Sequence, residues 1–592
     1  GTEISIRGNG FGRSETVNVQ FGTTTAIIST QVTDVGSWTI SFTINTQGYG
    51  TTTITASGAA TNVSATSSVK IIQRIISIST GTATVSTVVT IQGDGYGVNE
   101  PIRINFGTTQ SITEWSTDAN GWFETTFTVD SQAYGNRTIK AAGRNTNIED
   151  TKPFFIIGRV YYISPTTGTV GCVVTVKADG YGEGDLIQIA MKNQSTTILS
   201  IRKDLFIEDV MASNDGTFTT VFTIDVFPYG TPSITVKGVY PSMYVIEKTF
   251  IIYQNISLIT PTSGPPGTSI DLFGTGYSLG EQVQINFGGA NLISTITSGA
   301  TEYGQGGTFT VTFTVPLQNS GTKTVIAYGT TSQGSDTTSF LIGPAIDLVP
   351  TTGTVGLMVI INGRGYVPVE QVRIDFGEFS SVATSTASGA GTFTTTFTIL
   401  TQPGTVTVKA TGLSIPERFS IASFKMKGNI TVTPTSGTIG TEMFVAGTGF
   451  GATEEITVNF GTEIGVGYPI TNNKGTFSYT YYVDSQPYGN TTISVTSLVS
   501  TASTTFFITP AIVCVTPTSG TVGSQVTILG NGYNAIQQIV VYFGAGMPPS
   551  NGDNDYWWAQ PPASTITTSN TNNAGTFTAL FTINLQPYGT TT

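Results

Sequence analysis

Apolar and polar residues alternate with period two over short stretches along the whole chain. In Ile102-Arg103-Ile104-Asn105-Phe106 the apolar side chains fall at every second position, and Phe123-Glu124-Thr125-Thr126-Phe127-Thr128-Val129 continues in the same style. These stretches are rich in Thr, Val, Ile and Phe, and Gly, Asn or Asp turn signals separate them at intervals of about 8–12 residues. The pattern predicts short antiparallel β-strands with one buried face. No stretch carries the 3.6-residue period of an amphipathic helix. The predicted fold class is all-β.

The alternation is organised into repeats. A G-x-G or D-G element followed by an aromatic residue reads GNGFG at Gly8, GDGYG at Gly93, ADGYG at Ala178 and GTGYS at Gly274. It returns as GRGYV at Gly363, GTGFG at Gly447 and GNGYN at Gly530, so seven copies follow one another at spacings of 83–96 residues. Six or seven strands in roughly 85–100 residues describe a two-sheet sandwich of immunoglobulin type. The expected units are residues 1–74 (lacking a first strand), 75–159, 160–254 (with an insertion), 255–344, 345–428, 429–510 and 511–592 (with a Trp-rich insertion, lacking the last strands). A Tyr-Gly pair at Tyr49, Tyr134, Tyr229, Tyr488 and Tyr588 precedes the penultimate strand. That position suits a tyrosine corner, whose hydroxyl bonds nearby backbone.

The stretch TPTSGTIGTEMFVAGTGFG from Thr433 to Gly451 resembles the opening of an IPT/TIG domain (immunoglobulin-like, plexin and transcription-factor type). TPTSGTVGSQVTILGNGYN from Thr516 to Asn534 and SPTTGTVGCVVTVKADGYG from Ser164 to Gly182 are similar to it as well. The resemblance covers all seven repeats, with the third departing most after Ile189. It implies an extracellular β-sandwich array of the kind found in prokaryotic surface proteins, with no shared catalytic site.

Composition narrows the function. Charged residues are 10% of the chain, the formal charge is −12, and histidine is absent. Nucleic-acid binding calls for a basic surface, and a Ser-His-Asp or Cys-His unit calls for an imidazole, so both are excluded. Zinc sites built on His or clustered Cys are excluded too. No apolar run approaches the ~20 residues of a membrane-spanning helix. Cys172 and Cys514 occupy different places in the repeat, and both are expected to be small buried residues. The joints between repeats are short, without Ser/Gly-rich or Pro-rich spacers, which predicts touching neighbours and a stiff rod of units about 35–45 Å long.

The ends fall inside repeats: Gly1-Thr2-Glu3 aligns with Gly440-Thr441-Glu442, and Tyr588-Gly589 precedes strands that would follow. A window cut from a longer protein is expected, and the alternative is exchange of strands between subunits, head to tail.

Candidate sites are few. An acidic residue stands five positions after the loop glycine in six copies, at Glu15, Glu100, Asp185, Glu281, Glu370 and Glu454, with Gln537 in the seventh. These suit a turn or surface hydrogen bond, and alternatively a share in a calcium site. Asp553 and Asp555 in the seventh repeat resemble a fragment of a calcium loop, the one candidate for a structural Ca²⁺ beyond these. The adjacent Tyr556, Trp557 and Trp558 suit a loop folded over its own sandwich, a contact between subunits, or a sugar-stacking platform. A charged segment from Met191 to Met211 is expected to be an inserted solvated loop, with a lateral contact to another chain as the alternative. N-x-[ST] acceptors for glycosylation occur at Asn62, Asn136, Asn193, Asn255, Asn429 and Asn490.

Taken together, the residues point to a non-enzymatic extracellular structural protein: a filament, sheath, stalk or surface-layer subunit. Its expected partners are other copies of itself, through head-to-tail or lateral contacts, and glycans. The alternative is the spacer of a large adhesin that projects a glycan- or protein-binding tip.

Overall fold

The computed structural model describes residues 1–192, 205–243, 245–299, 306–544, 565–585 and 589. All its regular elements are β-strands. No helix among the described residues is long and apolar enough to cross a membrane. The chain divides into two compact units, Gly1–Thr260 with Asp271–Thr312 and Thr324–Thr338, and Pro261–Ile270 with Phe313–Lys323 and Ser339–Thr592.

In the first unit the second repeat shows the full pattern. Strand Val88–Asp94 lies between Phe123–Thr128 and Arg74–Ile78 in a three-stranded sheet. The facing sheet has five strands in the order Thr109–Ser116, Pro101–Phe106, Gly135–Gly143, Glu149–Ile156 and Thr82–Ala83. The last pairing is parallel, with Phe155 opposite Thr82, and the other pairings are antiparallel. This is an immunoglobulin-like sandwich. The second unit repeats it with the same strand order in residues 345–426 and 429–508.

The alternation read from the sequence is what fills the sandwiches. Along Phe123–Thr128 the side chains are buried and exposed by turns, and Phe309–Thr314 and Phe577–Thr582 follow the same alternation. Phe106 sits fully buried between the sheets, 5.2 Å by ring centroid from both Phe127 and Phe154. Phe376 holds the corresponding place against Phe397 and Phe424 at 5.3 and 6.2 Å. Separate hydrophobic clusters fill residues 75–156, 160–252, 346–426 and 430–508. The described residues of the seventh repeat form a three-stranded and a two-stranded sheet, with a smaller cluster around Val526, Ile528, Phe577 and Phe581.

The aromatic residue of each loop motif belongs to these cores. Tyr96 meets Phe123 edge to face at 5.4 Å, and Tyr366 meets Phe393 at 5.1 Å. The same pair is formed by Phe11 and Trp38, Tyr181 and Phe218, Tyr277 and Phe309, Phe450 and Phe477, and Tyr533 and Phe577. The first glycine of the motif makes room for the partner ring: a Cβ on Gly363 would come within 2.0 Å of Phe393.

Two expectations are corrected. Cys514 is exposed, not buried, and Cys172 is half-buried. Strand Ala511–Thr516 has a register shift between Ile512 and Cys514, and five of its six residues are exposed. The described part of the segment from Met191 to Met211 is also strand, not inserted loop. Leu205–Met211 is a strand paired with Leu186–Lys192, Leu186 opposite Met211, and residues 193–204 between them lie outside the described set.

Candidate functional site: the joints between repeats

Every joint is built around the loop aromatic. Its N–H is held within its own repeat, as where Tyr96 donates to the Gly121 carbonyl. Its carbonyl accepts from the preceding repeat. In the first unit Tyr49 donates its backbone N–H to Tyr96 at 2.8 Å, Tyr134 to Tyr181 at 2.7 Å, and Tyr229 to Tyr277 at 3.0 Å. In the second unit Ser320 donates to Tyr366 at 3.0 Å, Gly404 to Phe450 at 3.1 Å, and Tyr488 to Tyr533 at 2.9 Å. One residue thus fills the core with its ring and ties the neighbour with its carbonyl.

A turn glycine completes the contact. Gly121 has φ +76°, and an added Cβ would stand 2.2 Å from the Tyr96 oxygen and 2.9 Å from Cα of Gly48 in the preceding repeat. Gly391 has φ +73° and would meet the Tyr366 oxygen at 2.3 Å and Asn319 Cα at 2.9 Å. The left-handed conformation and the lack of space both select glycine.

Some joints add an arginine. Arg159 is paired with Asp179 at 2.9 Å and donates to Ser86 Oγ in the preceding repeat at 2.8 Å. Arg364 pairs with Asp347 and donates to the Pro266 carbonyl at 2.9 Å, and Arg418 donates to Ser320 Oγ at 2.8 Å. The half-exposed Arg364–Asp347 pair contributes about 0–1 kcal/mol, while Asp179 is buried beneath Arg159.

Five of the six acidic residues that follow a loop glycine, Glu15, Glu100, Asp185, Glu281 and Glu370, are buried pins, and Glu454 is half-buried. The Glu100 carboxylate accepts from the N–H groups of Gly97, Asn145 and Thr146 at 2.7, 2.8 and 2.6 Å, and from Thr146 Oγ1 at 2.8 Å. Glu281 accepts in the same way from Thr331, Ser332 and the Ser332 hydroxyl, each at 2.9 Å. The carboxylate therefore ties the loop at the joint to the loop between the last two strands of its repeat. Donors surround these oxygens, which is the reverse of what a cation needs. At Glu15, burial raises the carboxyl pKa, but hydrogen bonds from Thr61, Gly12 and Ala60 outweigh it and hold the pKa below the ordinary value. Among the described residues no three Asp, Glu, Cys or His side chains gather as a metal would require.

The Tyr-Gly tyrosines also have a role that was not expected. Their backbone tethers the next repeat, while the ring packs on its own: Tyr134 on Phe155 at 5.1 Å and Tyr488 on Phe507 at 5.3 Å. Hydroxyl-to-backbone bonds come from the loop tyrosines, Tyr96 to the Ala141 carbonyl at 3.3 Å, Tyr277 to Ala327 at 3.0 Å and Tyr366 to Ala410 at 3.3 Å. Burial pushes these three phenols well above their ordinary pKa. Tyr588 lies outside the described residues.

One structural group was not anticipated from the sequence. Gln132, buried two residues before Tyr134, donates to the Phe106 carbonyl at 2.8 Å and accepts from Thr108 N–H at 3.2 Å, pinning the strand-end hairpin. Its signal was available, since Gln47, Gln318, Gln402, Gln486 and Gln586 stand at the matching places.

The remaining candidates are scattered. Asp553, Asp555, Tyr556, Trp557, Trp558 and Asn193 lie outside the described residues. Asn62, Asn136, Asn429 and Asn490 are exposed, and Asn255 is half-buried. A cleft lined by residues 451–455, 457 and 496–499 contains Glu454 and Glu455, but the Glu454 carboxylate already accepts from the amides of Gly451, Leu498 and Val499.

No family model and no curated protein matches the chain. Among solved structures it is similar to the N-terminal eight Ig domains of Down Syndrome Cell Adhesion Molecule isoform 1.30.30, at 11% identity and TM-score 0.16 over 99% of this chain and 87% of that one. It is similar to invasin, a bacterial integrin-binding protein, at 14% identity and TM-score 0.17 over 61% of this chain and 81% of that one. The ICAM-5 D1–D4 ectodomain fragment aligns at 12% identity and TM-score 0.16 over 60% and 99% of the two chains. Scores of this size assign no function, ligand or arrangement.

Proposed function

We propose that the chain is a non-enzymatic, extracellular structural protein of IPT/TIG type, a segment of a surface filament, sheath, stalk or surface layer. Its seven units are residues 1–74, 75–159, 160–254, 255–344, 345–428, 429–510 and 511–592. The observation that carries this reading is the recurrence of one joint, a backbone hydrogen bond onto the loop aromatic, at each of the six places where repeats meet. A contact repeated in this way limits bending between neighbours, which is what a load-bearing or spacing element needs. The weak charge and hydroxyl-rich strand faces support lateral packing in an exterior setting. Self-association through Tyr556, Trp557 and Trp558 belongs to the same proposal.

Electron microscopy of the purified full chain tests it. Regular polymers are expected from the native chain, with fewer and shorter ones from Trp557→Ala with Trp558→Ala. Single particles that never associate at any concentration would refute the filament reading, and isolated stalks at the native cell surface bearing a terminal knob would make the array an adhesin spacer.

A further inference from the structure

The third repeat carries a surface unlike the matching surface of its neighbours. On strand Arg159–Ser164 the pairing with Val173–Asp179 shifts register between Val160 and Tyr162. The extra residue turns two consecutive side chains outward, and Tyr161 and Tyr162 are 53% and 44% exposed. Each ring is fixed by a cation. Arg159 lies 5.5 Å from the Tyr161 centroid and is itself held by Asp179, and Lys177 lies 5.3 Å from the Tyr162 centroid. Lys177 stands directly across from Tyr162, and Thr219 directly across from Lys177, so ring, ammonium and hydroxyl form one row. Thr175 and Val221 form the next row.

Charge sets this face apart. The same sheet face exposes Glu124 in the second repeat, Asp271 in the fourth, Asp347 in the fifth and Glu442 in the sixth. In the third, as in the described strands of the seventh, it exposes no carboxylate; the third differs by exposing Lys177, which makes no ion pair among the described residues. A net charge of −12 on the whole chain makes this a local cationic exception. The half-exposed Tyr161, Tyr162, Val173 and Val221 offer no more than roughly 400 Å². That is about half of the ~800 Å² that each partner contributes to a stable protein interface. An apolar patch of this size, with Lys177, Thr175 and Thr219 beside it, suits a small rigid ligand.

We propose that this face binds an anionic saccharide, a pyranose stacked on Tyr161 and Tyr162 with its carboxylate on Lys177 and its hydroxyls on Thr175 and Thr219. The stacking faces are amphipathic on both sides, and the bulge and cations hold the rings in place before the ligand arrives.

Affinity electrophoresis of the full chain in gels containing polygalacturonate, neutral dextran or polyglutamate tests this. Polygalacturonate is expected to retard the native chain despite the like net charges, with no retardation by the other two. Tyr161→Ala with Tyr162→Ala should weaken retardation about tenfold, the equivalent of 1.4 kcal/mol. Lys177→Gln, which leaves the rings intact, should weaken it and flatten its salt dependence. Thermal unfolding of both variants checks that the repeat remains folded. No retardation by polygalacturonate, equal retardation by dextran or polyglutamate, or native-like retardation of the folded double variant would each overturn the assignment.

Discussion

Gly121→Ala separates the joint from the turn in which it is made. Alanine at φ +76° costs about 1–2 kcal/mol as a left-handed residue. The new Cβ would also stand 2.2 Å from the Tyr96 oxygen and 2.9 Å from Gly48 Cα, both backbone atoms, so the two repeats must move apart. That movement takes the 2.8 Å hydrogen bond from Tyr49 with it, worth about 0.5–1.5 kcal/mol. The joint is weakened by that hydrogen bond, about 0.5–1.5 kcal/mol or roughly 2- to 12-fold in local opening, while the left-handed cost falls on the turn itself. Hydrogen exchange of the Tyr49 amide reads this directly. The control is Gly36→Ala, at the matching turn of the first repeat, where φ is +80° and the atoms nearest the new Cβ belong to Phe11 and Gly10 of the same repeat. It carries the left-handed cost without the clash across the joint. Tyr49 exchange should rise in Gly121→Ala and stay near native in Gly36→Ala, with Ile104 in the core protected in both. Unchanged Tyr49 exchange in Gly121→Ala, or an equal rise in the control, refutes the reasoning.

Glu100→Gln keeps the size of the pin but replaces one acceptor oxygen with a donor facing other donors. The second repeat should lose about 1–3 kcal/mol, seen as a lower unfolding temperature; an unchanged transition would mean that the carboxylate does not hold the loop. The folded Glu15 pKa lies below that of an ordinary glutamate, so its contribution to stability is fully present above the unfolded value and is lost as pH falls through the lower folded one. Titration of the Ala60 and Thr61 amides by nuclear magnetic resonance should show a midpoint below that of an exposed glutamate, and a midpoint above it would contradict the hydrogen-bonded geometry.

The strands and their sandwich assembly were legible because they rest on local alternation: the residues that fill the core between Phe106, Phe127 and Phe154 stand at every second position of their own strands. What was not legible depends on partners distant in sequence or on broken parity. Glu100 was visible as a recurring carboxylate, but its donors Asn145 and Thr146 lie 45 and 46 residues away, so burial and pinning could not be read from its spacing. Tyr134 was read as a tyrosine corner because that role and a joint tether leave the same trace, a tyrosine before a glycine ahead of the penultimate strand. The hydroxyl role belongs to Tyr96, whose position in a loop motif drew attention to the glycines instead. Tyr161 and Tyr162 were hidden for a different reason: a bulge puts neighbouring residues on one face, and a period-two reading assigns them to opposite faces.

The joint itself shows why repetition alone does not reveal purpose. At Gly121 two demands coincide: its own turn sets φ at +76°, and Gly48 of the preceding repeat leaves no room for a Cβ. The second shows only in what a Cβ would meet, and that depends on the packing of residues far apart in the chain. The sequence can therefore mark every such glycine as necessary without distinguishing the two demands. The tie between repeats lies in the 2.8 Å bond from Tyr49 to Tyr96 and its counterparts, main-chain contacts that most residue types could make. A joint of this kind tolerates variation in its side chains, with Tyr, Ser and Gly all serving as donors, while the loop aromatic and the turn glycine stay fixed by the space they occupy.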